Sequence, residues 1–230
     1  MPIINLVYEA PQWEPWANTV AYYQFNWDIN DHSGHWYNLT YWPTSYTTLS
    51  SWIKAAQFQW QYRWNWPNSL CSAIFTWWNL TISMWVNPQN LYYRVFYFEW
   101  SDNYRVGEII IYSTYIEFWI WNGLPHWSGG TVYQLDYTTS NSTNTWYNIV
   151  LTYTSNTNTW QCYKNWSSLW TKTWYTYPTW YGGSVVSIWY TAYNYSSNSW
   201  TLSELIFENK TRTADEISNY YNDTKANYWL

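Results

Sequence analysis

Asp28, Asn30 and Asp31 stand within four residues of one another in the run FNWDIND, with His32 and His35 just beyond. Oxygen-bearing side chains clustered on a loop suit calcium, which takes about 6–8 oxygen ligands. These three residues are therefore the candidate metal ligands, and calcium the candidate cofactor. The competing reading is that Asp31 caps the turn ahead of Ser33-Gly34, as Asp often does through neighbouring backbone. Asp102, in EWSDN, is a further oxygen ligand with a weaker claim. His32-x-x-His35 lacks the Cys or additional His that a zinc site needs, so these two and His126 read as polar surface residues.

Carboxylate pairs offer little for hydrolysis. Retaining glycoside cleavage needs two carboxyl groups about 5–5.5 Å apart. Glu99 and Asp102 are three residues apart with no third partner. Glu204 and Glu208 can share a strand face, but strand residues four apart lie roughly 13 Å from each other. No Ser/His/Asp order or phosphate-cradling Gly loop stands out. The chain is expected not to be an enzyme, with no catalytic residues. The two cysteines, Cys71 and Cys162, make no disulfide framework. Their pairing stays open, and Cys162, beside Tyr163, reads as a buried structural thiol. Seven Asn-x-Ser/Thr sequons occur, in a chain rich in all three residues. In a glycosylating organism the loop positions Asn38, Asn141 and Asn194 are the expected acceptors.

Composition narrows the class. The 230 residues include 25 Trp and 27 Tyr, while charged residues are only 10% of the chain. Ordinary globular domains carry about 25% charge. Rich aromatics and scarce charge oppose disorder and favour strands. Nine Lys and Arg are scattered and the net charge is −5, so there is no basic patch for nucleic acid. No apolar run approaches the ~18 residues of a spanning helix, so no membrane insertion is expected. The opening MPIINLVYEAPQWEPW lacks a basic region followed by an apolar stretch, and is not read as a secretory signal.

The elements that must position these residues are strands. Leu80, Ile82, Met84 and Val86 alternate in LTISMWVNP and predict a half-buried strand. Residues 146–166 predict a hairpin around the polar SNTNT, and 107–123 another around Ser113 and Thr114. Residues 184–193 and 201–209 predict two more strands. Thr213 and Glu216 have capping-box spacing and predict one short C-terminal helix through Ile217, Tyr220 and Tyr221. Pro2, Pro11 and Pro15 mark residues 1–20 as an extended arm, serving either as an edge strand or as a dock on a neighbour. Residues 21–230 are read as one domain. Many short strands with polar turns predict a sandwich or barrel.

These segments resemble, in chain order, the laminin-G-like, concanavalin A-like lectin and glucanase group. Residues 21–40 (AYYQFNWDINDHSGHWYNLT) are similar to that group's opening strand and loop, and AAQFQW, from Ala55, to its second landmark. NLTISMWVNP resembles its Thr-Ile-Ser-Phe-Trp-Val-x-Pro strand. TWYNIVLTYTSNTNTWQCYKNW resembles its central hairpin, and residues 202–222 its closing strand and helix. The resemblance implies an all-β, two-sheet antiparallel jelly-roll sandwich. Its glucanase members carry Glu-x-Asp-x-x-Glu, which is absent here.

One departure from the group's pattern is systematic. Trp27, Trp60, Trp166 and Trp189, with Trp36 and Trp200, stand where the pattern has Gly. Asn26-Trp27 and Asn165-Trp166 occupy turns where Asn-Gly is the natural hairpin signal. There are only 7 Gly, where typical usage predicts roughly 16. Two readings stay open. Either the turns are rebuilt around genuine Trp, giving an aromatic surface, or a stop codon reassigned to glycine underlies these positions.

The expected function is a non-enzymatic, lectin-like surface module that binds carbohydrate or cell-surface polysaccharide, since aromatic faces and amide groups together suit sugars. The sequence does not name glycan-binding residues. The alternative is a structural or decoration protein of a virion or other extracellular assembly, joined to capsid or other subunits through the N-terminal arm. Both place the protein at an extracellular, cell or virion surface.

Overall fold

A computed structural model describes residues 17–39, 43, 45–49, 53–59, 64–65, 68–75, 79–91, 93–100, 104–121, 132–173, 184–188 and 199–228. They form two antiparallel sheets. The larger has eight strands, in the order β12 (Ser167–Thr173), β11 (Thr159–Lys164), β10 (Tyr147–Thr154), β5 (Asn79–Pro88), β14 (Ser199–Glu208), β3 (Lys54–Gln59) and β2 (Ser45–Thr48). Its eighth strand, β1 (Thr19–Tyr23), pairs with the second half of β14, while β3 pairs with the first half. The six-stranded sheet runs β4 (Trp64–Asn65), β13 (Ser184–Ile188), β6 (Tyr93–Trp100), β7 (Tyr104–Ile111), β8 (Tyr115–Trp121) and β9 (Val132–Thr138). The predicted arm lies outside the described residues as far as position 16, and β1 begins at Thr19.

Alternation builds the core between the sheets. Leu80, Ile82, Met84 and Val86 of β5 pack in one cluster with Ile109, Ile116, Phe118 and Tyr137 of the facing sheet. Phe118 meets Trp160 across the gap with ring centroids 5.1 Å apart. Such interlocked inner faces define a sandwich. The predicted hairpins form in register: Ile111 faces Ile116, and Thr154 faces Thr159 around a 3-10 turn at Ser155–Thr157.

The C-terminal helix α2 (Ala214–Thr224) starts at the predicted capping box. The Glu216 amide donates to Thr213 Oγ1 at 3.2 Å, and the Thr213 amide donates to Glu216 Oε2 at 2.8 Å. This helix corrects the half-buried reading of β5. It covers the outer face of the large sheet, so Thr81, Ser83 and Trp85 are buried as well. Trp85 lies between Tyr228, 3.9 Å away and stacked, and Tyr221 at 5.6 Å, and its Nε1 donates to Thr224 Oγ1 at 3.1 Å. A second helix, α1 (Asn68–Phe75), was not predicted; it has no acidic first turn and no basic last turn to signal it.

Candidate functional site

The loop joining β1 to β2 holds most of the predicted site residues, and Asp31 organises it. Its side chain is buried. Asp31 Oδ1 accepts from the amides of Tyr22 at 3.0 Å and Ser33 at 2.9 Å. Asp31 Oδ2 accepts from Ser33 Oγ at 2.8 Å and the Tyr37 amide at 3.0 Å. The Asp31 amide donates to Asn38 Oδ1 at 2.9 Å. Further out, the His32 amide donates to the Tyr22 carbonyl and the Leu39 amide to the Ile29 carbonyl. One carboxylate thus ties β1 to a loop whose described residues, 24–39, carry no helix or strand.

That geometry bears on the calcium reading. A carboxylate presents about four lone-pair sites, and Asp31 uses four with protein donors. A cation at Asp31 would have to compete with these protein donors for the carboxylate. Asp28 faces the surface instead. Its Oδ1 accepts from the Asn30 amide at 3.2 Å and lies 3.0 Å from His32 Nε2. No group of three or more His, Cys, Asp or Glu placed to hold a metal ion occurs among the described residues.

The outer rim of the loop is polar and aromatic. His32 and His35 are exposed, as expected; the His35 ring stacks on Tyr37 at 6.0 Å and the His32 ring meets Tyr22 edge-on at 6.3 Å. Lys54 Nζ lies 3.3 Å from the Trp27 ring centroid and donates to Thr48 Oγ1 at 2.8 Å. The Tyr46 hydroxyl is pushed up to about 12, by burial first and by the Asp28 charge second. This rim can offer donors, acceptors and ring faces to a polyol. Among the described residues of this loop, Asp28 is the carboxylate at the rim, with Asp31 buried beneath it.

Glu204 and Glu208 are engaged structurally. Glu204 and Glu208 share the outer face of β14 beneath α2. Glu204 accepts from the Tyr220 hydroxyl, and burial raises its pKa against the pull of that bond and of Arg212. Glu208 forms a fully buried ion pair with Arg212. Burial pushes its carboxyl up to about 6, with Arg212 pulling it down. Neither glutamate faces the β1–β2 loop rim. Asp102, His126 and the side chain of Glu99 lie outside the described residues.

Of the predicted acceptor asparagines, Asn141 needs correction. It is buried, and its Nδ2 donates to the carbonyls of Tyr112 at 2.6 Å and Tyr115 at 3.2 Å. The atom that would carry a glycan instead closes the β7–β8 turn. Asn38 is half-exposed and anchors Asp31, while Asn194 lies outside the described residues. Cys162 is a free, buried thiol whose pKa is raised by burial, and Cys71 falls in α1.

The tryptophans flagged at turns divide. Trp27, Trp36 and Trp166 have φ of +81°, +63° and +66°, the left-handed region that favours Gly. They are 61%, 79% and 51% exposed. Trp200 departs from that pattern: it is buried in β14 and stacks on Phe58 at 4.4 Å. Trp60 and Trp189 lie outside the described residues.

No family model matches the sequence, and no curated protein matches it. The fold, however, recurs among solved structures. The binding domain of Paraclostridial Mosquitocidal Protein 1 superposes with a TM-score of 0.67 at 13% identity, over 89% of this chain and 52% of that one. Botulinum neurotoxin type C, which enters cells in a manner dependent on two ganglioside molecules, gives 0.65 at 12%, over 89% and 51%. Domain 4 of the GH43 extracellular arabinanase from Geobacillus stearothermophilus, in complex with arabinotriose, gives 0.66 at 15%, over 88% and 97%. The chain therefore spans about half the length of the toxin chains and nearly all of the arabinanase domain. Identities this low carry the β-sandwich and not the site.

Proposed function

We propose that this chain is a non-enzymatic carbohydrate-binding module of the laminin-G-like, concanavalin A-like kind, acting at a surface outside the cell. The observation that carries this reading is the match over almost the whole of a domain that binds arabinotriose. The disposition of carboxylates supports it. Glu204 and Glu208 are engaged by Tyr220 and Arg212 under a helix, while glycoside cleavage needs two carboxyls facing one bond. The β1–β2 loop is the proposed ligand surface, with half-exposed Asp28 and exposed His32 and His35 as its polar groups. Asp31 fixes the loop beforehand, which reduces the ordering cost that weakens flexible binders.

The test is a glycan array carrying arabino-oligosaccharides and sialylated glycans, probed with the intact chain in calcium and again in chelator. Selective binding that survives chelator and falls at least tenfold in a His35→Ala, Asp28→Asn double variant is the expected result. Selective binding lost in chelator would contradict the organising role given to Asp31, and an empty array would contradict the function.

A further inference from the structure

Eight tryptophans have described side chains, and they fall into two sets with none between. Trp85, Trp146, Trp160 and Trp200 are no more than 6% exposed, whereas Trp27, Trp36, Trp166 and Trp170 are at least 51% exposed. The buried set packs: Trp85 lies between two tyrosines, and Trp146 lies 5.0 Å from Tyr228. Trp36 and Trp166 make no ring or cation–π contact among the described residues.

Backbone conformation singles out three of the four exposed tryptophans, Trp27, Trp36 and Trp166, while Trp170 in β12 is not in the left-handed region. Seven non-glycine residues among those described have positive φ. Three are Asn, which tolerates that region through local hydrogen bonding. One is Phe25, buried against Tyr23 and Phe58 at 5.9 and 5.7 Å. The other three are Trp27, Trp36 and Trp166. No Tyr appears, although the chain has 27 Tyr against 25 Trp. A left-handed backbone does not select an indole over a phenol, because the strain arises at Cβ.

The local geometry at these positions calls for glycine. Lys164 pairs with Ser167, which leaves Asn165 and Trp166 as a two-residue hairpin loop with φ of +49° and +66°. Positive φ at both central residues is the type I′ turn, whose strong preference is Asn-Gly. The φ of +81° at Trp27 likewise lies in the left-handed region that favours glycine. Two contacts speak for an indole at Trp27, the Lys54 ammonium over its ring and the Tyr46 ring tilted at 6.4 Å, but Lys54 keeps Thr48 as a partner without it. A cause acting on codons accounts for the surplus of exposed Trp and the shortage of Gly together.

We infer that positions 27, 36 and 166 are glycine in the protein as its own organism makes it, through a stop codon reassigned to glycine, while Trp85 and Trp146 are true tryptophans. The native turns are then unstrained, and ligand recognition on the β1–β2 loop falls to its polar groups. This inference is independent of the glycan-binding proposal, because it rests on φ, exposure and composition alone.

The experiment reads the gene and the native protein together. The expected result is UGA at codons 27, 36 and 166, UGG at 85 and 146, and native peptides across the three turns lighter by the mass difference between tryptophan and glycine. UGG at any of the three turn codons, or tryptophan in any of those native peptides, overturns the inference. Glycine at position 85 or 146 overturns it too, because the division between buried and exposed tryptophans would then carry no information.

Discussion

Replacing Trp166 by Gly in chain produced with tryptophan at every such position should stabilise it, against the usual rule for removing a large aromatic. Relief of a left-handed Cβ is worth about 1–2 kcal/mol. The greater freedom of glycine in the unfolded chain takes back about 0.5–1 kcal/mol. Trp166 is half-exposed and stacks on nothing among the described residues, so little packing is lost. The net gain is about 0.5–1 kcal/mol, and the same arithmetic holds for Trp36. Trp27 differs, because losing the Lys54 contact forfeits about 0.5–1 kcal/mol, which brings its net effect close to zero. Trp36 and Trp166 lie on different loops, so their effects should add to about 1–2 kcal/mol, or several degrees in Tm for a chain of this size. Urea unfolding of the single and double variants measures this directly. Trp166→Ala is the control, since it removes the ring but keeps the Cβ and should gain nothing. The reasoning is refuted if Trp166→Gly is no more stable than Trp166→Ala.

Three other perturbations have definite signs. Trp85→Ala should cost about 3–5 kcal/mol in urea unfolding, because it empties the space between α2 and the large sheet and removes the bond to Thr224. The Glu208 carboxyl, raised to about 6, contributes stability that is full below its unfolded pKa and lost as pH rises through 6. The change is about 2 kcal/mol, and Glu208→Gln should flatten the stability profile between about pH 4.5 and 6.5; a profile unchanged by that substitution contradicts the burial-raised carboxyl. Glu216, lowered by Lys210 and the Thr213 cap, acts in the opposite sense in a window further acid, so the two do not mask each other. Asp31→Ala should destabilise the fold by about 3–5 kcal/mol, since it leaves the Tyr22 and Tyr37 amides without their acceptor; calcium and chelator should leave the unfolding midpoint of the unaltered chain unmoved.

Where a signal is local, the sequence carried it. The alternation of Leu80 to Val86, the capping box at Thr213 and Glu216, and the turns at Ser113 and at Ser155–Thr157 each involve residues close in the chain, and all appear where expected. What stayed hidden depends on residues distant in the chain. The outer face of β5 is buried because a helix about 130 residues later covers it, as the bond from Trp85 Nε1 to Thr224 Oγ1 shows. Asp31 reads locally as a turn cap, but its reach to Tyr22 and Tyr37 decides that it organises a loop. Asn141 sits in a Ser- and Thr-rich run that looks like open loop, and only the neighbouring hairpin takes up its amide. The glycine-like turns were visible as Asn-Trp pairs, and the positive φ values give them their physical content.

The central claim is that this sandwich holds carbohydrate without cleaving it. The direct measurement is to incubate the intact chain with immobilised arabinan and a panel of glycans, following retention of the protein and release of new reducing ends in the same samples. Retention on a defined subset of glycans, with no reducing ends released, is the predicted result. Reducing ends that appear with the unaltered chain and vanish with Glu204→Gln would contradict it, as would the absence of retention on every glycan tried.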